Sequence, residues 1–438
     1  MVTRVDTARV MLWGEPVGAV SWLADRGYGV FEYEPAFLQR GLDISPIHMG
    51  LQQARQGDGL FYFSALNRET FLGLPGLLAD VLPDKFGNQI IDAWLARQGR
   101  DGAGFSPVER LCYTGHRGMG ALTFEPLINK GFDKSVPVEM AELVSLAQQV
   151  VTQRNQLNIT LGEDEQQNAD AMLDILRVGT SAGGARPKAV IAINEHGKVI
   201  SGQGDVPEGF DYWLLKFDGV TDVELGKPKE FGRIEYAYYL MAQAAGIEMS
   251  ECRLLQENGR AHFMTRRFDR VAGKRLHMQS LCGLAHFDFN QAGAYSYEQA
   301  FAIMRQMRLS KSAAVALYRR IVFNVLARNQ DDHTKNISFL MDASGQWHLS
   351  PAYDVTYAHN PGGVWTNQHQ MSLNGKRDHY ALADLQQLGA SISLSRTKVK
   401  QIIEQVTQAV ANWAGYAAEA DLSQTVTEEI ARFHRTLK

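Results

Sequence analysis

The residues of this 438-residue chain best suited to chemistry lie in a short polar segment, residues 329–336, which reads Asn-Gln-Asp-Asp-His-Thr-Lys-Asn. Asp331 offers a carboxylate that can accept the proton of a hydroxyl, and Asn336 offers an amide carbonyl oxygen. A further carboxylate, Asp354, follows in the sequence Ser-Pro-Ala-Tyr-Asp. Amide and carboxylate oxygens suit Mg²⁺, which keeps water and phosphate oxygens in its remaining positions.

Four residues separate Asp331 from Asn336, which is the D-x-x-x-x-N spacing of a protein-kinase catalytic loop. A predicted hairpin then precedes Asp354, which matches the order of a kinase's catalytic loop and its metal-binding aspartate. His333 is expected to organise the loop through hydrogen bonds to the backbone, with Asp332 and Lys335 as further support. The alternative is a polar loop whose Asp and Asn side chains only satisfy local backbone groups. The whole octapeptide, between two apolar runs, favours chemistry.

A glycine-rich segment, residues 179–188, reads Gly-Thr-Ser-Ala-Gly-Gly-Ala-Arg-Pro-Lys. Small residues let backbone N–H groups approach phosphate oxygens closely, so Gly183, Gly184 and Ala185 are predicted to bind phosphate. Lys188 adds a positive charge. The segment is neither a Walker A motif nor G-x-G-x-x-G, and a simple glycine-rich turn between a helix and a strand is an equal alternative.

Three further elements have the order expected of a nucleotide site. Lys216 ends an apolar strand, as does the kinase lysine that contacts nucleotide phosphates, and Glu235 could be its ion-pair partner. The alternatives are a solvent-facing lysine and an acid that favours the first turn of a helix. The backbone of residues 266–270 could hydrogen-bond an adenine edge, with Phe268 beside the base, but an ordinary charged segment is the favoured interpretation of these residues alone.

Composition excludes several classes of protein. Hydrophobic residues make up 45% and charged residues 21%, which is typical of a packed globular protein rather than a disordered one. A net charge of −4 makes unaided nucleic-acid binding a poor hypothesis. No apolar run reaches the ~18 residues of a membrane span, and the N-terminal segment lacks an apolar signal core. Three scattered cysteines fit a reducing cytoplasm.

The elements that must position these residues follow from periodicity and turn signals. Strands are predicted in two groups and helices mainly after them. We expect an α+β fold of two lobes with a cleft between them, sheet-rich in the N-terminal lobe and mostly helical in the C-terminal lobe. The predicted domains are residues 1–125, a small sheet with helices; 126–265, the rest of the N-terminal lobe; and 266–438, the helical lobe. The predicted strands are residues 10–13, 17–23, 29–33, 188–193, 199–201, 213–217, 251–256, 261–266, 337–341 and 346–349, and the predicted helices are 84–97, 234–245, 297–308, 311–328, 397–414 and 422–437.

Taken together, these motifs resemble the HipA family, the serine/threonine-kinase toxins of bacterial type II toxin–antitoxin modules. The resemblance runs over nearly the whole chain. It includes residues 17–18, 31–33 and 77–84 in the N-terminal part, then 179–188, 267–270, 329–336 and 350–354. Each motif alone is unspecific, but the combination is specific.

The resemblance implies roles beyond those that spacing suggests. Asp331 falls on the family's catalytic aspartate, Asn336 and Asp354 on its metal ligands, and Lys216 on its phosphate-contacting lysine. Arg266 and Phe268 fall on the positions whose backbone meets adenine. Ser181 falls on the serine that the family autophosphorylates, and the adjacent Thr180 is a second choice. The implied cofactors are ATP and Mg²⁺. The implied partners are a HipB-like helix-turn-helix antitoxin, which alone contacts DNA, and a protein substrate such as the glutamyl or another aminoacyl-tRNA synthetase.

Two other functions remain open from the sequence. A small-molecule kinase would use the same loop with a different acceptor groove. A nucleotide-sensing corepressor would act only by docking onto a DNA-bound antitoxin, although the joint presence of Asp331, Asn336, Asp354 and Lys216 argues against it. The chain also departs from the best-known member of the family in having Arg186-Pro187 in place of Gln-Glu, and Pro187 removes one N–H donor from the loop.

Overall fold

The computed structural model describes residues 4–57, 59–83, 87–88, 91–92, 104–128, 137–152, 187–220 and 230–437. The phosphate-loop candidates Thr180, Ser181, Gly183, Gly184 and Ala185 lie outside these residues, as does most of the helix predicted at 84–97. The chain forms two compact units. The first comprises residues 1–42, 51–232 and 253–278, and the second comprises 43–50, 233–252 and 279–438.

The first unit is built on two five-stranded sheets, in the two regions where strands were predicted, although β4 and β5 of the first sheet were not predicted. The first sheet has the order β4-β3-β2-β1-β5 and the second the order β7-β6-β8-β10-β9. A two-stranded ribbon, β11-β12, follows the second sheet. The strands are β1 (Thr7–Leu12), β2 (Glu15–Leu23), β3 (Tyr28–Tyr33), β4 (Leu60–Phe61), β5 (Leu122–Glu125), β6 (Lys188–Asn194), β7 (Val199–Ser201), β8 (Phe210–Lys216), β9 (Cys252–Glu257), β10 (Arg260–Arg266), β11 (Arg270–Val271) and β12 (Lys274–Arg275).

Turn chemistry explains where these strands end. Asn258 and Gly259 link β9 to β10 with φ angles of 44° and 79°, the left-handed pair that a type I′ hairpin turn requires. The helices that the structure describes in this unit are short except for the last: α1 (Pro35–Gln39), α2 (Leu51–Gln56), α3 (Arg68–Phe71), α4 (Gly76–Ala79), α5 (Pro107–Thr114) and α6 (Met140–Thr152). A capping box begins α5, where Ser106 and Glu109 have the Ser-x-x-Glu spacing of that motif and each side chain accepts from the other's backbone N–H.

The second unit is mostly helical. Its core lies where α10 packs on α12, around fully buried side chains such as Tyr318, Phe323 and Ile402. A three-stranded sheet of order β13-β14-β15 completes it. The elements are α7 (Phe231–Ala244), β13 (His277–Ser280), α8 (Leu281–Ala285), α9 (Tyr297–Gln306), α10 (Lys311–Leu326), β14 (Ser338–Met341), β15 (Trp347–Leu349), α11 (Leu382–Ser391), α12 (Arg396–Ala411), α13 (Trp413–Glu419) and α14 (Gln424–Ala431).

Two helix predictions near the C-terminal end were wrong in extent. The helix expected at 397–414 is broken at Asn412, because Trp413 turns into the core and donates its indole N–H to the carbonyl of Thr427 at 3.0 Å. The helix expected at 422–437 ends at Ala431. The chain beyond it bonds to the end of α10 instead, with Arg435 N–H donating to Leu326 O at 2.8 Å. Among the described residues, no helix has the length and apolar character that crossing a membrane demands.

Candidate active site

The loop that carries Asp331 connects the end of α10 to β14 and is fixed along its length. The side-chain amide of Asn329 donates to Asn324 at 2.9 Å, and the backbone N–H of Gln330 donates to Ala358 O at 3.1 Å. Further on, the hydroxyl of Thr334 donates to Phe287 O at 2.7 Å. Hydrogen bonds to neighbouring segments therefore hold the residues between α10 and β14, of which Thr334–Asn336 form a 3₁₀ turn.

Asp331 presents a partly exposed carboxylate with few partners. The indole N–H of Trp365 donates to its Oδ1 at 2.7 Å, and Nε2 of His333 lies 3.7 Å from the same oxygen. The amide Nδ2 of Asn336 donates to the backbone carbonyl of Asp331 at 2.8 Å. Because that bond uses the nitrogen end of the amide, the carbonyl oxygen of Asn336 is not the atom that contacts the Asp331 backbone.

Asn336 and Asp354 line one cavity of the second unit, together with Asp332 and His333. The segment that ends at Asp354 is tied to the catalytic loop, since the Tyr353 hydroxyl contacts the carbonyl of Lys335. Asp354 has φ of 54°, a left-handed conformation that is uncommon outside glycine and is found disproportionately at functional sites. An amide oxygen and a carboxylate at one cavity match the donor set that Mg²⁺ prefers.

The neighbouring Asp332 is an anchor and not a reacting group, because its side chain is fully buried and fully bonded. It accepts hydrogen bonds from the Tyr297 hydroxyl at 2.5 Å, from His369 Nδ1 at 2.7 Å and from the Gln370 N–H at 2.7 Å. Burial would raise the pKa of Asp332, but these donors outweigh it and hold the pKa below its usual value. Asp332 therefore stays ionised and fixes the backbone next to Asp331.

Two predictions for this loop meet different outcomes. The expectation that His333 bonds the backbone was wrong, because its ring faces the Asp331 carboxylate and lies 5.4 Å from the ring of Phe289 and 6.4 Å from that of Trp365. Lys335 places its ammonium 4.8 Å from the Phe289 ring centre, a cation–π contact that supports the loop.

In the first unit, the two predicted phosphate-binding lysines face each other. Lys188 on β6 and Lys216 on β8 are register partners in an antiparallel pair, so their side chains leave the same face of the sheet. Lys188 is only 3% exposed.

The segment 266–270 divides into an exposed pair and a buried cluster. Arg266 is exposed and pairs with Asp211 at 2.5 Å. Asp269, in contrast, is completely buried between Arg267 and Arg270, with nitrogen–oxygen distances of 2.7 Å to each. Burial opposes ionisation, but the two arginines hold the pKa of Asp269 well below its usual range.

This arginine–aspartate cluster forms hydrogen bonds with the backbone of the loop before β5. Arg270 donates to the carbonyls of Gly118 and Gly120 at 3.1 and 2.9 Å, and Asp269 accepts from the Gly120 N–H at 2.7 Å. Sequence reasoning missed this junction because the residues joined are about 150 positions apart, and no local spacing signals it. Phe268, which carries the adenine prediction, is half-buried beside the cluster.

Glu235 lies in α7 and is 2% exposed. The helix begins at Phe231, so Glu235 is not in its first turn and that alternative for the residue is wrong. Its pairing with Lys216 stays a prediction.

Comparison with known proteins agrees with these observations. The family model described as HipA-like C-terminal domain matches residues 180–414, and the model described as HipA N-terminal domain matches residues 8–125. A chain of the solved Shewanella oneidensis complex of the toxin–antitoxin system HipA, HipB and operator DNA superposes with a TM-score of 0.64 at 17% identity, over 97% of this chain and 94% of that one. The predicted α+β fold of the HipA type is thereby confirmed.

Two weaker similarities accompany these matches. The protein Y4mE of Sinorhizobium fredii, whose name marks it as a candidate kinase, is 24% identical over 191 residues. That match covers 39% of this chain and 44% of Y4mE, so the two are similar over less than half of either length. The Helicobacter pylori proinflammatory kinase CtkA gives a TM-score of 0.30 at 12% identity over 48% of this chain and 91% of that chain, too low to bear on the fold.

Proposed function

Because the chain belongs to the HipA family, we propose that it is an ATP- and Mg²⁺-dependent serine/threonine protein kinase and the toxin of a HipBA-like module. The observation that carries the proposal is the placement of Asn336 and Asp354 at one cavity, with the Asn336 amide bonded to the backbone of Asp331. A carboxylate for the acceptor hydroxyl and two oxygen ligands thus lie on connected segments of the second unit.

In the proposed reaction, Asp331 orients a serine or threonine hydroxyl and accepts its proton as the oxygen attacks the γ-phosphorus and ADP leaves. Asn336 and Asp354 would hold Mg²⁺, which when bound neutralises charge on the phosphate oxygens. His333, whose Nε2 lies 3.7 Å from Asp331 Oδ1, helps to fix the Asp331 carboxylate. Phosphoryl transfer needs little covalent help, so positioning and charge stabilisation should supply most of the rate.

The first unit would bind the nucleotide. Lys188 and Lys216, opposite each other on β6 and β8, supply positive charge for phosphate oxygens. The backbone of residues 183–185 is proposed to contribute N–H donors. The backbone of Arg266 and Phe268 is proposed to meet the adenine edge, and Glu235 to act as the partner of Lys216.

The biological setting follows the family. We propose autophosphorylation on Ser181, or on the adjacent Thr180, and a translation factor such as an aminoacyl-tRNA synthetase as the substrate. The Shewanella oneidensis relative was solved with HipB and operator DNA. By analogy, the partner here would be a HipB-like antitoxin, and only the antitoxin would contact DNA directly. The proposed location is the cytoplasm.

The test is quantitative phosphoproteomics after brief induction of the wild type, of Asp331→Asn and of Asp342→Asn. Asp342 is a matched control carboxylate on the β14–β15 turn, 41% exposed and bonded to Ser344 and His348. We expect new phosphoserine or phosphothreonine sites with the wild type and Asp342→Asn and none with Asp331→Asn. Equal labelling by Asp331→Asn would remove Asp331 from the mechanism. Transfer to metabolites alone, with no protein sites, would overturn the protein-kinase proposal.

A further inference from the structure

The segment after Asp354 approaches the catalytic loop and bonds both of its adjacent carboxylates. Trp365 donates to Asp331 Oδ1, while His369 and the backbone of Gln370 donate to Asp332, all three at 2.7 Å. These three donors lie within six consecutive residues. One segment therefore fixes the orientation of two neighbouring carboxylates, only one of which the proposed reaction uses.

Trp365 is held in place and is not a loosely attached side chain. The side-chain amide of Gln370 donates to the carbonyl of Trp365 at 2.5 Å, and Asn360 N–H donates to Thr366 O at 3.1 Å, closing the short loop around it. Its ring is partly buried, whereas the adjacent Val364 is 98% exposed. The partly buried indole thus lies on a loop that hydrogen bonds of Asn360 and Gln370 hold in place.

The contact has a specific chemical consequence. An indole has one N–H donor and no acceptor, so its partner must be an oxygen that accepts. Within the part of the chain that the structure describes, no other group donates a hydrogen bond to the Asp331 carboxylate. With Oδ1 held by Trp365, the carboxylate cannot rotate freely, and Oδ2 is left to receive the acceptor hydroxyl.

We propose that Trp365 is a positioning residue that fixes the Asp331 carboxylate for proton transfer, an inference that rests on the proposed kinase function. In reactions that depend on positioning, the orientation of a reacting group supplies much of the rate enhancement. A misplacement of about 1 Å lowers the rate on the order of a hundredfold. Trp365 therefore acts on turnover through Asp331 and not through nucleotide binding.

The kinetic test compares Trp365→Phe, which keeps an aromatic ring and removes the N–H, with Trp347→Phe. Trp347 is a matched control, because its indole donates at 3.0 Å to the carbonyl of Asp43, which is in the same unit and does not belong to the catalytic loop. With Mg·ATP hydrolysis as the probe, we expect kcat of Trp365→Phe to fall at least tenfold with an unchanged KM for ATP. Trp347→Phe should match the wild type.

Unchanged turnover in Trp365→Phe would overturn the inference. Faster turnover would also overturn it, because it would show that the indole blocks Asp331 and does not position it.

A second measurement reports on the contact without any turnover. The chain has seven tryptophans, so an indole ¹H–¹⁵N spectrum is resolvable, and Trp365→Phe identifies the Trp365 signal by its loss. We expect Asp331→Asn to shift that signal and Asp342→Asn to leave it unchanged. A Trp365 signal that does not move in Asp331→Asn would refute the contact between Trp365 and Asp331. The wild type could instead show no turnover while its Trp365 signal shifts as expected in Asp331→Asn. That result would overturn the proposed kinase function, and with it the positioning role, although the contact itself would be confirmed.

Discussion

His369 Nδ1 lies 2.7 Å from Asp332 Oδ2, and this contact joins the segment after Asp354 to the catalytic loop. The other ring nitrogen of His369, Nε2, is 2.9 Å from a guanidinium nitrogen of Arg435. A guanidinium can only donate, so His369 Nε2 accepts from Arg435 and His369 Nδ1 donates to Asp332. The arrangement connects Arg435, in the segment after α14, to the residue next to Asp331.

Removing the charge of Asp332 should destabilise the second unit strongly. Asp332→Asn replaces an acceptor of three buried hydrogen bonds with an amide that cannot accept all three, and breaking buried charged networks costs about 3–5 kcal/mol. Urea unfolding should show a loss of about 3 kcal/mol, with kinase activity lost as well. Glu195→Gln is the control, since Glu195 is 85% exposed. A loss below about 0.5 kcal/mol, the range of surface changes, would contradict the anchoring role.

The free energy of unfolding should decrease as the pH is lowered, because His434 is buried. Burial lowers the pKa of His434 to about 4 from 6.5 in the unfolded chain. Between these values the unfolded state binds more protons, so the contribution is complete above pH 6.5 and is lost as the pH falls toward 4. The shift corresponds to at most about 3 kcal/mol.

The measurement is the melting temperature of the wild type and of His434→Phe between pH 7 and pH 4. Phenylalanine keeps the ring packing on Trp413 and does not titrate. We expect a shallower decline for the variant, while His196→Gln, at an 80% exposed site, should follow the wild type. Identical slopes for wild type and His434→Phe would exclude His434 as the cause.

Asp354→Asn should weaken the metal site without unfolding the chain. Asparagine tolerates the left-handed φ of 54° about as well as aspartate does, so the backbone should survive while the charged ligand is lost. We expect the Mg²⁺ concentration for half-maximal turnover to rise at least tenfold, and the thermal stabilisation by Mg·ATP to shrink. The matched surface variant Asp342→Asn should show neither effect. An unaltered Mg²⁺ requirement would remove Asp354 from the ligand set.

Two arginine–aspartate contacts of the first unit allow a matched comparison. Asp269→Asn leaves Arg267 and Arg270 buried without their counter-charge, which should cost about 3–5 kcal/mol of unfolding free energy. Asp211→Asn removes the partner of Arg266 at a site about half exposed, and should cost less than about 1 kcal/mol. Denaturant unfolding of the full chain measures both. Similar small losses for the two variants would show that the buried cluster does not hold the loop before β5.

Local signals in the sequence determined much of the fold. The strands on both sides of Gly14 and of the Asn258-Gly259 turn were predicted and are confirmed, and the local Ser106–Glu109 spacing forms a capping box. Each depends on backbone conformations and hydrogen bonds within a few residues, which the residue types nearby decide. The D-x-x-x-x-N spacing likewise indicated Asp331 and Asn336, because one loop sets their separation.

Tertiary structure alone decided what surrounds these residues. Trp365 is 34 positions from Asp331 in the sequence and His369 is 37 from Asp332, while Arg267 reaches a carbonyl 149 positions away. The end of α14 shows the same limit, since its helical pattern continues while the chain leaves the helix at Ala431 to bond the end of α10. A local pattern specifies which conformation a segment prefers. The partner of a buried polar group is chosen by packing, because every donor and acceptor taken out of water must be satisfied at once.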